Sequence, residues 1–279
     1  MKTLTVIIPL YNEEKRLNDT FSCLKKFKGV RDIGVEKFVF VNDGSKDNTL
    51  KLLRNFKRSF SKKLANKAEI EIVAYPVNHG RGYAVMQGAK RVKSDYAMFL
   101  DGDMSIPLGN LENFSKFMNQ NYDLLVGSKK INGTVTLVKR NFIREFIGEV
   151  HSRILSFVLG IKLADFTGGF KVFSKSVCED IFPRLTQERW GLDPEIIYVT
   201  NRLNYSIKEL PIVWSHISKS SKVNLIRDIL RAFKEMATIK LNDWKNIYNI
   251  NPQPAMLNKA FSLLVKFSLL LFIWPKKSS

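Results

Sequence analysis

Short apolar runs rich in β-branched side chains alternate with amphipathic stretches over the first hundred residues. The runs at residues 4–9, 38–41 and 70–74 predict strands. Apolar residues at helical spacing follow the first run, between residues 17 and 27, and predict a helix that packs on it. Strands that alternate with helices are typical of βαβ units, so the sequence predicts an α/β fold with a mainly parallel sheet.

Polar residues follow each predicted strand. The first strand leads into Tyr11, Asn12 and two glutamates, the second into the polar segment 42–49, and the third into Gly80 and Gly82. Because α/β sheets bind ligands at the carboxyl ends of their strands, we expect a ligand site there. The glycines allow a ligand to approach the backbone closely, and a helix predicted over residues 85–92 would offer its positive N-terminus to phosphate.

A further apolar run, Tyr96–Leu100, ends in two carboxylates, Asp101 and Asp103. Side chains two positions apart on a strand point the same way, so both acids could face one divalent cation that bridges a diphosphate. An Asp-x-Asp pair at a strand end is also common in solvated turns. The pair alone does not distinguish a metal site from a solvated turn, and the other segments of the chain are needed to decide.

Length and charge limit the choice of fold and partner. A chain of 279 residues suits one large α/β domain plus an appendage. The formal net charge of +19 implies nucleic acid, an anionic membrane surface or a phosphorylated substrate as partner. Cys23 and Cys178 lie far apart, which indicates a reducing compartment without a disulfide framework. A strand begins almost at once, so we expect no signal peptide or N-terminal anchor and a cytoplasmic catalytic body.

Eight short segments occur in a characteristic order along residues 4–240. They are VIIPLYNEE (6–14), VNDGSKDNT (41–49), NHGRGYAVMQG (78–88), FLDGDMSIP (99–107), VGSKK (126–130), FTGGFKVF (166–173), ERWGLDPEI (188–196) and WSHISKSSKV (214–223). Together they resemble the family 2 glycosyltransferases of the GT-A fold, and more closely the polyprenyl-phosphate glycosyltransferases, with FTGGFKVF and ERWGLDPEI favouring the dolichyl-phosphate β-glucosyltransferase branch. The resemblance implies a GT-A catalytic domain over residues 1–223, a Rossmann-like sheet with flanking helices.

The resemblance also implies a reaction. It is the inverting transfer of a hexose, with glucose favoured, from a nucleotide sugar such as UDP-glucose to the phosphate of a polyprenyl or dolichyl phosphate, for glycan assembly or protein glycosylation. The acceptor oxygen is already anionic, so positioning and stabilisation of the leaving group matter more than a strong base. Asp103, Asp193 and Glu195 would be catalytic, and Asp101 and Asp103 would hold Mg²⁺ or Mn²⁺.

By the same resemblance, binding of the nucleotide sugar falls to residues near the strand ends. Asp43 would accept from the uracil ring, although an Asx turn before the next helix is the alternative. Asp193 or Glu195 would orient a sugar hydroxyl or assist the acceptor, and the alternative is a pair of acids at a helix start with Pro194 in the first turn. The residues assigned to the donor are Pro9, Tyr11, Glu13, Asp43, Arg81, Gly82, Asp101 and Lys222.

The chain is basic between residues 128 and 153. An ordinary charged helix surface is one interpretation. Arginine and lysine also bind phosphate through charge-assisted hydrogen bonds, and the resemblance places the lipid phosphate at Lys129, Arg140 and Arg144. Many relatives carry Arg where this chain has Lys129, so bidentate capture of the phosphate is not expected at that position.

Residues 224–279 predict a second, membrane-associated part. Apolar residues recur at helical spacing between 226 and 233 beside cations, which suits either the membrane interface or packing on the catalytic body. Residues 255–274 are apolar but contain Lys259 and Lys266, which favours a helix lying in or dipping into the bilayer over a single span or a helix buried on the protein. The sequence therefore predicts a membrane-associated protein whose catalytic domain faces the cytoplasm.

Other functions compete with this interpretation. A mannosyltransferase using GDP-mannose would keep the mechanism, whereas a family 2 enzyme with a hydroxyl acceptor would need a base at Asp193 or Glu195. A nucleic-acid-binding α/β protein would explain the charge, but basic residues are not interleaved with aromatic ones on a recognisable platform, so no nucleic-acid partner is expected. A non-catalytic binder of nucleotide sugars is disfavoured because both metal-binding acids are present. Homo-oligomerisation is left open.

Overall fold

The computed structural model describes residues 1–60, 68–138, 142–215 and 225–250. A seven-stranded sheet with a separate two-stranded ribbon forms its centre. The sheet strands are β1 (Lys2–Leu10), β2 (Ile33–Asp43), β3 (Glu69–Tyr75), β4 (Tyr96–Leu100), β5 (Leu124–Ser128), β7 (Phe170–Ser174) and β8 (Ile207–Pro211), and the ribbon strands are β6 (Val135–Thr136) and β9 (Val213–Trp214).

Helices connect these strands. They are α1 (Leu17–Lys26), α2 (Thr49–Phe60), α3 (Arg81–Ala89), α4 (Leu111–Asn119), α5 (Phe142–Leu159), α6 (Lys175–Asp180), α7 (Leu192–Arg202) and α8 (Leu225–Trp244), with short 3-10 helices at Leu108–Asn110 and Phe182–Arg184.

The order of strands across the sheet is β3-β2-β1-β4-β7-β5-β8. The first four strands run parallel to one another, β5 and β8 are also parallel, and β7 runs antiparallel between β4 and β5. The predicted α/β fold with a large, mainly parallel sheet is confirmed. The carboxyl ends of β1 to β5 and of β8 therefore meet at one edge of the sheet. The antiparallel strand β7 contributes its start to the same edge, which we call the active edge.

Both faces of the sheet are buried. Side chains alternate along β1, so that Val6 and Ile8 belong to one core cluster and Ile7 to the other. The first cluster packs against α1, α2 and α4, and the second against α3 and α5 to α8. This three-layer arrangement explains why the strands are apolar over nearly their whole length.

Helix α3 begins at Arg81, four residues before the predicted start. The glycines at this point suggested a loop, but Gly82 and Ala84 are buried inside the first turn of the helix. Gly80, which precedes the helix, has a φ of 120°, a conformation that favours glycine. The polar loop is therefore shorter than predicted, and the helix N-terminus lies directly at the active edge.

The second half of α8 packs on the catalytic body. Met236 and Ile239 are buried in the second core cluster, as is Tyr248 from the segment that follows. The structure thus places part of the predicted C-terminal segment in the core. None of the helices in the described ranges is both long and apolar enough to cross a membrane. The apolar residues 255–274 lie outside the described residues.

Candidate active site

The loops after β1 and β2 are joined to each other at the active edge. The Asn12 amide N–H donates to Ser45 Oγ (3.0 Å), and the Lys46 amide N–H donates back to Asn12 Oδ1 (2.8 Å). Asn48 Nδ2 likewise donates to Glu14 Oε1 (2.7 Å). These reciprocal bonds fix the polar segments that the sequence places at the strand ends. Pro9 stands in β1, and Tyr11 follows the strand with its side chain exposed.

Glu13 lies beside the metal-binding candidates. Its carboxylate forms an ion pair with Arg16 (2.6 Å), and its amide N–H donates to Thr49 Oγ1 (2.8 Å). Burial raises the pKa of the Glu13 carboxyl above its usual value, and the nearby charge of Asp103 acts in the same direction against the lowering effect of Arg16. Glu13 and Asp103 therefore contribute negative charge to one region of the edge.

Asp43 is a buried link between β2 and the start of α3. Its carboxylate accepts from the amide N–H groups of His79 and Gly80 (both 2.9 Å) and from Asn78 Nδ2 (2.7 Å). The Asx-turn alternative placed Asp43 before α2, whereas these bonds tie it to the segment before α3. Its contact with a uracil ring stays a prediction.

Arg81, the first residue of α3, bridges two carboxylates. Its Nε donates to Asp101 Oδ1 and its Nη1 donates to Asp193 Oδ2, both at 2.8 Å. The central carbon of the guanidinium also lies over the Phe99 ring, 5.0 Å from its centroid, and over the Trp190 ring, 5.4 Å from its centroid. Burial opposes the charge of Arg81, but the two carboxylates outweigh it and hold the pKa above its usual range.

Asp193 is buried with a cation on each oxygen. Arg81 occupies Oδ2, and the ammonium of Lys171 donates to Oδ1 (2.8 Å). Lys171 has no exposed surface and also donates to the carbonyl oxygens of Gly168 (2.6 Å) and Phe166 (3.3 Å). Three acceptors thus satisfy its three protons. Lys171 is a site residue that the sequence did not predict, although a lysine inside the apolar run of β7 is a visible signal.

Asp101 is 34% exposed at the end of β4. Its second oxygen, Oδ2, lies where a side chain on Gly169 would begin. A Cβ at position 169 would require this carboxylate, which Arg81 holds through Oδ1, to move, so the FTGGFKVF segment has a steric role at the site that the sequence did not predict.

Asp103 is partly exposed and less engaged than Asp101. Its Oδ1 accepts from the amide N–H of Ser105 (3.0 Å), and it forms no ion pair with any residue that the structure describes. The left-handed backbone of Met104, with a φ of 53°, turns the chain sharply after it. One carboxylate oxygen of Asp103 is therefore left for a ligand.

The donor set fits a hard divalent cation with oxygen ligands. Within the described ranges, no three His, Cys, Asp or Glu side chains are grouped so that they could hold a metal ion by themselves. Asp101 and Asp103 together offer few oxygens, and Oδ1 of Asp101 is already paired with Arg81. Most coordination positions of a bound ion would therefore be filled by other ligands. Such a site suits an ion that arrives with a diphosphate and water.

Glu195 is placed differently from the other candidates. It is completely buried in α7 and accepts from Thr186, through both Oγ1 (2.6 Å) and the amide N–H (2.9 Å), from the amide N–H of Gln187 (2.8 Å) and from the Tyr248 hydroxyl (2.8 Å). Burial raises the pKa of its carboxyl. This geometry favours a structural role near the helix start, in which Glu195 anchors the loop before α7 and the segment after α8. Its part in catalysis stays a prediction.

Lys129 lies at the end of β5, also at the active edge. Its ammonium is 5.2 Å from the centroid of the Trp214 ring, and its amide N–H donates to buried Asp165 (3.1 Å). Burial opposes ionisation of Asp165, but Lys130 and Lys129 hold the pKa of that carboxyl below its usual value. Arg144 lies in α5. Arg140 and Lys222 lie outside the described residues.

Gly82 lets the loop of residues 187–189 cross the start of α3. A Cβ at this position would contact the carbonyl oxygen of Gln187, the carbonyl carbon of Glu188 (2.7 Å) and the carbonyl oxygen of Arg189 (2.8 Å). The Tyr83 amide N–H donates to the same loop, at Glu188 O (2.9 Å). This loop carries Trp190, a further residue that the sequence analysis missed, onto Arg81.

We expect Gly82→Ala to lower the free energy of unfolding by about 1–3 kcal/mol and to reduce activity, because the new methyl group displaces backbone rather than a flexible side chain. The matched control is Gly148→Ala, in the interior of α5, where a Cβ would meet nothing within 4 Å. That change should stabilise the protein by roughly 0.5–1 kcal/mol. Urea unfolding of both variants measures the difference, and equal effects would contradict the assignment.

The sequence of this chain is similar to those of a known enzyme family. The family model described as Glycosyl transferase family 2 matches residues 5–182. A dolichyl-phosphate β-glucosyltransferase of Saccharomyces cerevisiae is 32% identical over 266 residues, which cover 89% of this chain and 77% of the relative. Another from Trichomonas vaginalis is 32% identical over 228 residues, covering 78% and 67%, and the human one is 24% identical over 232 residues, covering 80% and 70%.

Two solved structures share the fold at low sequence identity. The first 349 residues of TarS from S. aureus in complex with UDP-GlcNAc give a TM-score of 0.57 at 18% identity and cover 98% of this chain and 73% of that one. Glucosyl-3-phosphoglycerate synthase from Mycobacterium tuberculosis with Mn²⁺, UDP and glucosyl-3-phosphoglycerate gives 0.55 at 15% identity, covering 85% and 78%. The predicted GT-A type of sheet therefore agrees with solved relatives of the fold.

Proposed function

Because this chain belongs to glycosyl transferase family 2, we propose that it transfers glucose from UDP-glucose to the phosphate of dolichyl phosphate or a related polyprenyl phosphate. The observation that carries the proposal is the meeting of Asp101, Asp103 and Arg81 at the active edge, in a chain similar over most of its length to dolichyl-phosphate β-glucosyltransferases.

The donor diphosphate would lie between the start of α3 and the end of β4. A helix N-terminus carries partial positive charge, which suits phosphate oxygens, although in α3 the Tyr83 amide N–H already donates to Glu188 O. Arg81 adds a full charge at the first helical position, and Asp101 and Asp193 hold its guanidinium in place. The loops after β1 and β2 would bind the nucleoside.

Asp101 and Asp103 would hold Mg²⁺ or Mn²⁺ together with the diphosphate. The bound ion would neutralise negative charge on the departing UDP. Asp103 has the less engaged carboxylate, so it is the direct ligand in this proposal, while Asp101 is oriented by Arg81 and Gly169. The solved Mn²⁺ complex of a protein with this fold supports the choice of ion.

The acidic residues across the edge support an acceptor that is already anionic. A hydroxyl acceptor needs a base with a free lone pair in the site. Both oxygens of Asp193 are paired with cations, and Glu195 is completely buried against four donors. Asp193 is therefore better suited to positioning Arg81 than to removing a proton.

The acceptor phosphate would bind at Lys129 and at Arg140 and Arg144 of the basic segment. Because the acceptor is a lipid, the protein would act at a membrane, with the catalytic domain on the cytoplasmic face and residues 224–279 contributing to attachment. Charge in this segment suits an anionic headgroup.

The test is transfer of label by the purified full chain, with Mg²⁺ or Mn²⁺, from UDP-glucose, GDP-mannose or UDP-N-acetylglucosamine. Two acceptors of equal chain length, a polyprenyl phosphate and the matching polyprenol, separate phosphate from hydroxyl chemistry. We expect metal-dependent label from UDP-glucose in the phosphate product alone. Label from GDP-mannose would show that the transferred sugar is mannose and not glucose. Preference for the polyprenol would overturn the proposal that the acceptor group is a phosphate.

A further inference from the structure

Exposed large apolar side chains concentrate in one part of the molecule. Thirteen such side chains occur among the described residues, and seven of them belong to α5, to the ribbon of β6 and β9, or to the two residues that follow β6. We call these seven the α5–ribbon surface. They are Val135, Leu137, Val138, Phe146, Val150, Phe157 and Val213.

Helix α5 is apolar on two opposite sides. Val150 and Phe157 follow Phe146 by four and eleven positions, which places the three side chains on one face of the helix. Phe146 is 58% exposed and Phe157 is 66% exposed, whereas Leu155 and Leu159 are buried in the core. The same outer face carries Arg153, which pairs with Glu149 beside it (3.7 Å), so it combines large exposed apolar side chains with a cation, a combination found on helices at a membrane interface.

The ribbon and the two residues after β6 carry the other four side chains of the surface. Val135 pairs with Val213, and the Leu137 amide N–H donates to Trp214 O (2.9 Å), so the chain continues along β9 after β6 ends. Leu137 is 61% exposed. Lys130, just after β5, donates to Gly148 O (2.6 Å) and Ser152 Oγ (2.5 Å) and thereby fastens α5 beside the active edge. The surface therefore begins where the acceptor phosphate is proposed to bind.

The charge of the same segment selects the partner. Residues 129–162 contain seven Lys or Arg and two Asp or Glu, a net charge of +5. Two copies of this chain packed symmetrically through the surface would bring these charges together. An anionic bilayer offers both an apolar interior and negative headgroups, and it satisfies the side chains and the charge together.

We infer that the α5–ribbon surface docks on an anionic lipid bilayer, with Phe146, Phe157 and Leu137 entering the acyl boundary and the surrounding cations meeting the headgroups. Docking here would bring the active edge to the membrane independently of residues 224–279. The inference rests on the proposed function in one respect, that the acceptor lipid is carried in this bilayer.

The first test measures depth at single positions of the full chain. The environment-sensitive dye NBD is attached to cysteine in a Cys23→Ser, Phe157→Cys variant, and to the native Cys23 as control, since Cys23 is exposed on α1 and Cys178 is buried. With vesicles of phosphatidylcholine and phosphatidylglycerol, we expect a blue shift and quenching by doxyl lipids at position 157 only. A water-like spectrum at 157 on vesicle-bound protein would overturn the inference, as would a blue shift at 157 that grows with protein concentration without lipid.

A second test separates docking from chemistry. We expect the Phe146→Ser, Phe157→Ser double variant to lose at least tenfold in transfer to a long-chain acceptor embedded in vesicles, while transfer to a short water-soluble polyprenyl phosphate is unchanged. Unchanged transfer to the embedded acceptor would contradict the inference. Absence of transfer by the unmodified protein to either acceptor would refute the proposed function instead, and the labelling result would still decide the surface.

Discussion

Replacing Asp103 by asparagine should reduce glucosyl transfer by at least about 100-fold while leaving the fold intact. Asparagine keeps an Oδ1 that accepts from the Ser105 amide N–H, so the turn after β4 is preserved. What disappears is the negative charge and one anionic oxygen at the position proposed for the metal ion. The change therefore isolates the electrostatic role of Asp103 from its role in the turn.

Three measurements check this prediction: label transfer, thermal unfolding and Mn²⁺ binding in the presence of UDP. Asp32→Asn is the matched control, since Asp32 is an exposed aspartate just before β2 and away from the active edge. It should leave all three unchanged. Full activity of the Asp103→Asn variant would contradict the metal assignment, whatever the control shows.

Replacing Lys171 by methionine should lower the free energy of unfolding by about 3–5 kcal/mol. Lys171 is completely buried and pairs with Asp193, so its loss leaves that carboxylate with Arg81 alone. It also leaves the carbonyl oxygen of Gly168 without its donor. Because Gly168 precedes the glycine that accommodates Asp101, we expect activity to fall together with stability.

A double-mutant cycle measures the coupling by urea unfolding. Asp193→Asn removes the opposite charge, and the Lys171→Met, Asp193→Asn double variant should be more stable than the sum of the single effects predicts, by at least about 1 kcal/mol. Lys175→Met is the control, because its ion pair with Glu179 is exposed and long (3.7 Å), and it should change stability by less than about 1 kcal/mol. Additive effects in the cycle would contradict the buried pair.

Local pattern was sufficient to predict the parallel half of the sheet. The bounds of β4, Tyr96–Leu100, are those of its apolar run, and the predicted strands at residues 4–9 and 38–41 lie within β1 and β2. Each of these strands is buried on both faces and ends at a polar turn, so its limits are written in consecutive residues. The active edge followed from the same pattern, because parallel strands deliver their carboxyl ends to one side.

The pairing of charges across the edge was not predictable in this way. Arg81 and Asp193 are 112 positions apart in the chain, and Lys171 reaches Asp193 only because β7 runs antiparallel beside β4. No sequence period reports such a contact. Asp43 shows the same limit, since its short polar side chain suited a local turn equally well but bonds to a loop 35 to 37 residues away.

The place of β7 in the sheet has a consequence for folding. Among the described strands, β5 pairs with β7 and β8, which both come later in the chain, so β5 and β8 join the parallel strands β1 to β4 only through β7, once residues 170–174 have inserted beside β4. Long-range strand pairing of this kind is slow because the intervening loop must close first. The same insertion brings Gly169 and Lys171 to Asp101 and Asp193. Completion of the sheet and assembly of the charged site are therefore a single late event, and partly folded chains should lack the site.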